Sequence, residues 1–180
     1  MHIIPVDETK VSLGKGQSIS IRTLMLQNRR EPFTPFHEIF QLHYDGWPDF
    51  GRPTEAATIV SLVKTLDNLI SQRGKCDDAP ILVHCSAGCG RTGTFCTVDN
   101  VIHSLDGTEG GGRRSGGGEE VEDFDIIYQN VLALREQRMS LVQTLRQYVL
   151  CYDCVLYHLL EEITCDGGIP MGDTLVKTDG

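Results

Sequence analysis

The sequence predicts an α/β fold in which a twisted mixed sheet is flanked by helices. Residues 19–26 and 38–44 carry the apolar alternation that is typical of strands. Residues 81–83 form a short apolar run after a proline, and this pattern predicts a buried strand with cover on both faces. Longer segments with apolar residues at helical spacing lie between and after these strands. Strands interleaved with helices indicate a layered α/β architecture.

Four segments show helical spacing. The first follows a cluster of turn formers (GWPDFGRP) and begins at Thr54, and the second covers residues 94–105. The third begins at Asp123, and the fourth runs from about Leu141 to Glu161. We expect the fourth helix to bury an apolar stripe in the core. The stripe consists of Leu145, Val149, Tyr152, Leu156 and Leu159.

Between the second and third helices, residues 106–120 (DGTEGGGRRSGGGEE) are glycine-rich and contain no apolar side chain. This composition predicts a flexible surface insertion. The insertion is interpreted as a tolerated loop expansion, and a regulatory role is the alternative. The last residues, 163–180, are expected to form a flexible tail.

Composition narrows the class of protein. The 180 residues suit one domain, and the net charge of −9 argues against a nucleic-acid partner. No apolar run reaches the roughly 20 residues of a membrane span, and no basic-then-apolar leader is seen at the start. Seven cysteines, an odd number, favour reduced thiols in an intracellular compartment. We therefore expect a soluble cytoplasmic protein without a membrane partner, and the oligomeric state stays open.

Cys151 and Cys154 form a C-x-x-C pair within the fourth helical pattern. A redox or zinc site is one interpretation, but no second pair stands at metal-site spacing. The pair is therefore predicted to consist of core-facing thiols.

The most informative segment is residues 84–93 (HCSAGCGRTG), which follow the apolar run directly. Its glycines allow the backbone N–H groups to curl inward, and a helix N-terminus behind them adds positive potential. Such a cradle binds an anion like phosphate, and the Arg91 guanidinium can bind two of its oxygens. The same field stabilises a thiolate at Cys85, which would then attack a bound phosphoryl group.

Two other interpretations of this segment are open. The Walker-type phosphate loop also uses glycines, but it requires a Lys-Ser/Thr pair that is absent here. A cysteine before a turn is often a buried structural thiol. The spacing of Cys85, Arg91 and Thr92 after an apolar strand favours the catalytic interpretation.

Residues 84–93 resemble the signature loop of the tyrosine-specific protein-tyrosine phosphatases. Residues 47–53 (WPDFGRP) resemble the family's mobile loop that carries the general acid, and residues 40–44 (FQLHY) fit the strand before it. Residues 134–138 (LREQR) and 142–148 (VQTLRQY) resemble the glutamine-bearing segment that handles water. The resemblance covers about residues 19–160 and implies a protein-tyrosine-phosphatase-like fold that is N-terminally truncated.

The resemblance implies a role for each matching residue. Cys85 is the nucleophile, Arg91 the phosphate clamp and Asp49 the general acid and base. Thr92 assists the sulfur as leaving group, and Gln143 positions water. The residues expected around the phosphate are Ser86, Ala87, Gly88, Cys89, Gly90, Arg91 and Gln147. His84, hydrogen-bonded beneath the loop, and Trp47, a core anchor or hinge, are expected to support them. No metal or cofactor is implied, and the partners are phosphotyrosine-containing proteins.

Two departures from the family pattern stand out. Cys89 occupies a position that is usually aliphatic; it is either a small buried hydrophobe or a second thiol that captures an oxidised Cys85. The upstream strands, helices and aromatic loop of the family are not found in residues 1–18. We expect residues 1–18 to be a remnant, and residues 19–162 to form a partial catalytic domain.

Three functions follow. The leading one is a phosphatase that hydrolyses protein phosphotyrosine through a cysteinyl-phosphate. The second is an impaired fragment or pseudophosphatase that binds phosphotyrosine without turnover. The third is a dual-specificity phosphatase, which the WPD tripeptide and the glutamine segment disfavour.

Overall fold

The computed structural model describes residues 2–14, 16–28, 30, 33–48, 51, 53, 55–72, 80–107 and 125–167. Within them lie three strands and four helices in the order βββαααα. The strands are β1 (His2–Gly14), β2 (Gln17–Gln27) and β3 (His37–His43). The helices are α1 (Ala56–Gln72), α2 (Gly90–Leu105), α3 (Ile126–Gln137) and α4 (Leu145–Gly167). No helix in these ranges has both the length and the apolar character that crossing a bilayer requires.

The sheet has the order β1-β2-β3, and both of its strand pairs are antiparallel. β2 and β3 confirm the strands predicted from apolar alternation. The expectation that residues 1–18 hold no strand is wrong, because β1 pairs with β2 along most of its length. β1 is an edge strand with mostly exposed side chains and a register shift after Pro5, so its sequence lacks the alternation that marks a half-buried strand.

Residues 81–83 are not the buried strand that their composition predicts. They have no regular secondary structure, and no strand in the described residues pairs with them. Ile81 is 55% exposed and Leu82 is 87% exposed. An apolar run indicates that the side chains of a segment favour burial. Strand pairing also requires a neighbouring strand, and the described part of the chain has none beside residues 81–83.

The core is formed mainly by helices. α1, α2, α3 and α4 pack around one cluster, and Trp47 joins them from the segment after β3. Trp47 is only 6% exposed, which agrees with its predicted role as an anchor. The helical members of the cluster are Ile59, Val60, Val63, Phe95, Val98, Val101, Ile102, Ile127, Leu150, Cys151, Cys154 and Val155.

The buried face of α4 differs from the prediction. Leu145 is 76% exposed and Leu156 is 58% exposed, and of the predicted stripe only Tyr152 packs against the core. A different face of the helix is buried. It includes the two cysteines, which confirms the prediction that they are core-facing. α4 is apolar on more than one side, so spacing alone did not identify the buried stripe. The buried residues are Gln147, Leu150, Cys151, Cys154, Val155 and His158.

The start and end of α4 also differ from the expected ones. Ser140 and Val142 have φ angles of 66° and 57°, a left-handed conformation that cannot continue a helix. Thr144 then accepts a hydrogen bond from the Gln147 N–H at 3.2 Å, which caps the first turn. α4 continues to Gly167, so it includes the first residues of the predicted tail. Residues 108–124, most of the predicted insertion, lie outside the described residues.

Candidate active site

Residues 84–89 form a loop between residues 81–83 and the N-terminus of α2. Gly88 has a φ of +67°, a conformation that glycine adopts without steric cost. This turn directs the Gly88 N–H toward the Cys85 sulfur, with an N–Sγ distance of 3.2 Å. Cys89 is the N-cap of α2 and makes no side-chain capping hydrogen bond. The loop therefore brings Cys85 against backbone donors at a helix N-terminus, as predicted from the sequence.

The Cys85 thiol is acidic because of its surroundings. Burial by itself raises its pKa, but hydrogen bonds outweigh this effect and lower the pKa to about 6. The donors are the Thr92 hydroxyl and the backbone N–H groups of Thr92, Cys89 and Gly88. At neutral pH this cysteine is therefore mainly a thiolate, the reactive form of the side chain.

Thr92 stands beside the sulfur in the first turn of α2. Its Oγ1 atom is buried, and its hydroxyl hydrogen-bonds to the Cys85 sulfur, which lowers the pKa of that thiol. A hydroxyl proton can rotate toward a nearby thiolate. The hydroxyl is therefore available to stabilise negative charge on the sulfur.

Arg91 lies in the same turn and contacts two segments. Its Nη2 atom donates to the Ser86 hydroxyl at 2.8 Å, so the guanidinium lies along the loop. Its Nη1 atom donates to the Trp47 carbonyl oxygen, also at 2.8 Å. The indole of Trp47 in turn donates to the Gly51 carbonyl at 3.1 Å. Arg91 thus joins the loop to the WPD segment. Asp49 itself lies outside the described residues.

A second arginine supports the loop from outside. The Arg138 Nε and Nη2 atoms donate to the Gly88 and Ala87 carbonyl oxygens at 2.9 and 3.1 Å. These bonds hold the carbonyls outward, which leaves the N–H side of the loop facing the sulfur. The sequence prediction assigned no role to Arg138. Its place at the end of the LREQR motif was the available signal.

The glutamine segment packs directly on the start of α2. A Cβ atom placed on Gly90 would lie 2.8 Å from both Gln143 Oε1 and Gln147 Nε2, so both amides meet this turn. Gln147 is 1% exposed, and its Oε1 accepts from the N–H groups of Gln143 and Thr144 at 3.0 and 3.3 Å. Gln147 is therefore held by the backbone, whereas Gln143 is exposed beside the loop.

Two predicted residues of the loop have modest contacts. His84 is exposed, so it does not lie beneath the loop as predicted, and its Nδ1 atom is 3.3 Å from the Cys85 carbonyl oxygen. Cys89 is half-buried and its Sγ donates to the Ala87 carbonyl at 3.4 Å. Neither contact adds a charged group to the site.

Away from the loop, two histidines pair with carboxylates. His103 Nε2 is 3.0 Å from Asp67 Oδ1, and His158 Nε2 is 2.8 Å from Asp106 Oδ1. With Asp99 and Glu162 as third members, each group brings its ligand-type atoms within 4.8 Å. These pairs join α1 to α2 and the end of α2 to α4. Hydrogen bonding between elements accounts for them.

Comparison with known proteins identifies the family of this chain. A family model described as protein-tyrosine phosphatase matches residues 2–157. The chain is 35% identical over 139 residues to human receptor-type tyrosine-protein phosphatase alpha, and 32% identical over 167 residues to mouse tyrosine-protein phosphatase non-receptor type 9. The crystal structure of the catalytic domain of human protein tyrosine phosphatase non-receptor type 18 superposes with a TM-score of 0.65 at 32% identity.

The chain belongs to the protein-tyrosine phosphatase family, and its fold corresponds to part of that family's catalytic domain. The matches cover 77%, 88% and 86% of this chain. They cover 15% of the human receptor-type alpha protein, 25% of the mouse type 9 protein and 47% of the type 18 catalytic domain. The chain therefore spans less than half of each of these proteins.

Proposed function

We propose that this chain is a protein-tyrosine phosphatase that hydrolyses phosphotyrosine in proteins through a cysteinyl-phosphate intermediate. The observation that carries the proposal is Cys85, a thiol with a pKa of about 6 within a loop of backbone N–H donors. A thiolate in an anion-binding loop combines a nucleophile with a binding site for its phosphoryl target. Family membership supports the same chemistry.

In the first step, the Cys85 thiolate attacks phosphorus while the bond from phosphorus to the tyrosyl oxygen breaks. Asp49 donates a proton to the departing oxygen, which leaves as neutral tyrosine. The Arg91 guanidinium and the loop N–H groups hold the phosphoryl oxygens as their charge redistributes. The Ser86 contact supports this role because it keeps the guanidinium beside the loop.

In the second step, water attacks phosphorus and the sulfur–phosphorus bond breaks. Asp49, now ionised, accepts the proton of the water, and inorganic phosphate is released. The Thr92 hydroxyl stabilises the departing Cys85 thiolate, as its hydrogen bond to that sulfur supports. Gln143 positions the water, because its amide is exposed beside Gly90.

We further propose a cytoplasmic location and a role in signal transduction. A thiolate that oxidises readily needs a reducing compartment to remain active. Most of the cysteines described by the structure are also free thiols that form no disulfide.

A second candidate is a module that binds phosphotyrosine without turnover. The observation that favours it is the exposed segment 81–83, which leads into Cys85 without a neighbouring strand in the described residues. A displacement of about 1 Å in the loop would lower turnover by roughly 100-fold and still permit anion binding.

The test is phosphate release from phosphotyrosine peptides, phosphothreonine peptides and 4-nitrophenyl phosphate by the full 180-residue chain. The proposal predicts release from the tyrosyl peptide and the aryl phosphate, and none by the Cys85→Ser variant. Binding of the tyrosyl peptide without release would support the binding module instead. Comparable release from phosphothreonine would indicate dual specificity.

A further inference from the structure

The C-terminal end of α3 carries two arginines, each of which bonds a pair of backbone carbonyl oxygens. Arg138, the C-cap residue, donates through Nε and Nη2 to the carbonyls of residues 88 and 87, which belong to the proposed phosphate loop, residues 84–89. Arg135, in the last turn, donates through the same two nitrogens to the carbonyls of residues 141 and 142, at 2.8 and 2.7 Å. A guanidinium that bonds two acceptors in this way fixes the orientation of both peptide groups.

Arg138 holds the two peptide groups that supply N–H donors to the nucleophile. The carbonyl of Ala87 and the N–H of Gly88 belong to one planar trans peptide, so they point in opposite directions. The Gly88 nitrogen is 3.2 Å from the Cys85 sulfur. The carbonyl of Gly88 shares the next peptide with the N–H of Cys89, which also lowers the pKa of the Cys85 thiol. Because Arg138 holds both carbonyls outward, it directs both N–H groups toward the sulfur.

Arg135 holds the peptide group that leads into the glutamine segment. The Val142 carbonyl shares a planar peptide with the N–H of Gln143, and that N–H donates to Gln147 Oε1 at 3.0 Å. Val142 has a φ of 57° and Ser140 a φ of 66°, a left-handed conformation that residues other than glycine keep only when surrounding contacts hold it. The two bonds from Arg135 are such contacts. This side chain therefore fixes the place from which the Gln143 amide extends beside the loop.

The two segments that the arginines hold also contact each other. The Val142 N–H donates to the Cys89 carbonyl oxygen at 3.4 Å. One end of α3 therefore sets the spacing between the loop of the nucleophile and the segment of Gln143. Because each arginine bonds a different segment, the loss of one should affect the chemistry that its own segment performs.

We propose that Arg138 and Arg135 are positioning residues for separate steps of the reaction. Arg138 directs the loop N–H groups toward the Cys85 thiolate, which attacks in the first step. Arg135 orients the segment of Gln143, which places the water of the second step. The proposal rests on the proposed function, because the two steps are those of the cysteinyl-phosphate mechanism. Each arginine acts through the backbone, so its effect requires the fork of a guanidinium and not charge alone.

The assignment of Arg138 is tested without turnover, by the rate at which iodoacetamide alkylates Cys85 in the full chain as a function of pH. The parent should show a midpoint near 6, the pKa of this thiol. Arg138→Gln should raise the midpoint by about one pH unit, a tenfold change in ionisation. Arg138→Lys should raise it nearly as much, because an ammonium keeps the charge but cannot hold both carbonyls. Arg30→Gln, at an exposed arginine in the turn between β2 and β3, is the matched control and should keep the parent midpoint. The other titratable or charged side chains that contact residues 85–88 are unchanged in every variant, and they include His84, Cys89 and Arg91.

The assignment of Arg135 is tested by the kinetics of a phosphotyrosine peptide. Arg135→Gln should lower kcat by about 10–100-fold, the scale of a misplacement of about 1 Å, because the attack of water becomes slower. It should leave kcat/KM close to the parent value, since kcat/KM covers only the steps up to the phosphorylation of Cys85. Rapid mixing should show a burst of released tyrosyl peptide followed by a slow steady state. The alkylation midpoint of Cys85 should stay near 6 in this variant.

Thermal unfolding checks that each variant folds, and Arg135→Lys replaces Arg135→Gln if the glutamine variant does not. An unchanged alkylation midpoint in both Arg138 variants would overturn the proposal. An Arg135 variant that loses kcat and kcat/KM equally, without a burst, would also overturn it, because the arginine would then only support the fold. Absence of turnover in the parent chain would overturn the proposed function and the assignment of Arg135, and the alkylation profile alone would then decide the assignment of Arg138.

Discussion

The Arg91 guanidinium donates to the Trp47 carbonyl oxygen across 44 residues of sequence, with a distance of 2.8 Å between Nη1 and O. The same guanidinium donates to Ser86 within the phosphate loop. One side chain therefore bonds both the loop and the segment that precedes Asp49. This arrangement requires the planar fork of an arginine, since its two terminal nitrogens serve different partners at once.

Replacement of Arg91 by lysine should lower kcat/KM nearly as much as replacement by alanine. A lysine supplies the charge, but its single ammonium cannot bind the loop, the Trp47 carbonyl and two phosphate oxygens in one plane. The measurement is turnover of 4-nitrophenyl phosphate by both variants, with Arg30→Gln as the control. Near-full activity of the lysine variant would mean that positive charge alone is sufficient.

Asp49→Ala should reduce turnover by about 10²–10⁴, the usual effect of losing a general acid. The loss should be larger for phosphotyrosine than for an aryl phosphate with a good leaving group, because a good leaving group needs less protonation. The comparison is kcat/KM across a series of aryl phosphates. An equal loss along the whole series would exclude Asp49 as the acid.

The activity should depend on a thiol that titrates near pH 6. Because Cys85 attacks as the thiolate and its pKa is lowered to about 6, kcat/KM should fall as the pH falls through that value. Iodoacetamide should alkylate Cys85 first at pH 7. Cys151 should stay unmodified in the folded chain, because burial raises its pKa to about 12.

The same shift links Cys85 to stability. Its pKa is lower in the folded chain than the ordinary value of 9.0. The Cys85 thiolate therefore contributes to the free energy of unfolding. This contribution is fully present above the pKa of the unfolded state and is lost as the pH falls through about 6. Cys85→Ser should lack this component of the unfolding free energy between pH 6 and 9. Alkylation of Cys85 that follows an ordinary thiol pKa would contradict both expectations.

Gly93→Ala should destabilise the chain and lower its turnover. A Cβ atom at this position would lie 2.5 Å from the Val142 backbone nitrogen and 2.8 Å from the Leu141 Cβ. Overpacking of this kind typically costs about 1–3 kcal/mol, and it would also push the Gln143 segment away from the loop. Thermal unfolding and aryl-phosphate turnover measure the two effects. Ser104→Ala, at the exposed end of α2, is the control. If Gly93→Ala has the same unfolding temperature and turnover as this control, Gly93 is not closely packed against residues 141 and 142.

Leu82→Gln should reduce self-association of the chain. Leu82 is 87% exposed in the segment 81–83, which presents apolar surface and pairs with no strand of the described residues. At each protein concentration, this variant should scatter less light than the parent chain. The control is Leu132→Gln, at a leucine of α3 that is 38% exposed, and it should scatter as much as the parent. Equal scattering by both variants and the parent would show that the segment does not drive association.

The parts predicted well from the sequence are those that local chemistry determines. The loop of residues 84–89 is contiguous, so its glycine turn and the position of Cys85 beside backbone N–H groups could be predicted without knowledge of the tertiary structure. The existence of the strands β2 and β3 follows from alternation. The burial of Cys151 and Cys154 in α4 is also predicted correctly, because the sequence has no second cysteine pair at metal-site spacing.

The parts predicted poorly depend on tertiary contacts. Residues 81–83 are apolar, but pairing is decided by which strands lie beside them. The buried stripe of α4 is decided by the packing of Cys151 and Cys154 against α1 and α2, and several apolar faces were available. The link from Arg138 to the loop carbonyls spans 50 residues, and the LREQR motif that contains Arg138 does not reveal these partners. Val142 is β-branched, and its positive φ delays the start of α4. Its backbone packs closely against Gly93 of α2, a tertiary contact that the local sequence does not indicate.

The covalent intermediate on Cys85 is the most direct test of the proposed function. Gln143→Ala should slow the attack of water and so allow the phosphorylated enzyme to accumulate. The chain is mixed with a phosphotyrosine peptide, quenched in acid within milliseconds and digested, and the peptide that contains residues 84–91 is examined by mass spectrometry. We predict that one phosphoryl group is found on Cys85 and that Cys85→Ser carries none. Turnover without a phosphoryl group on Cys85, or with the group on another residue, would contradict the mechanism.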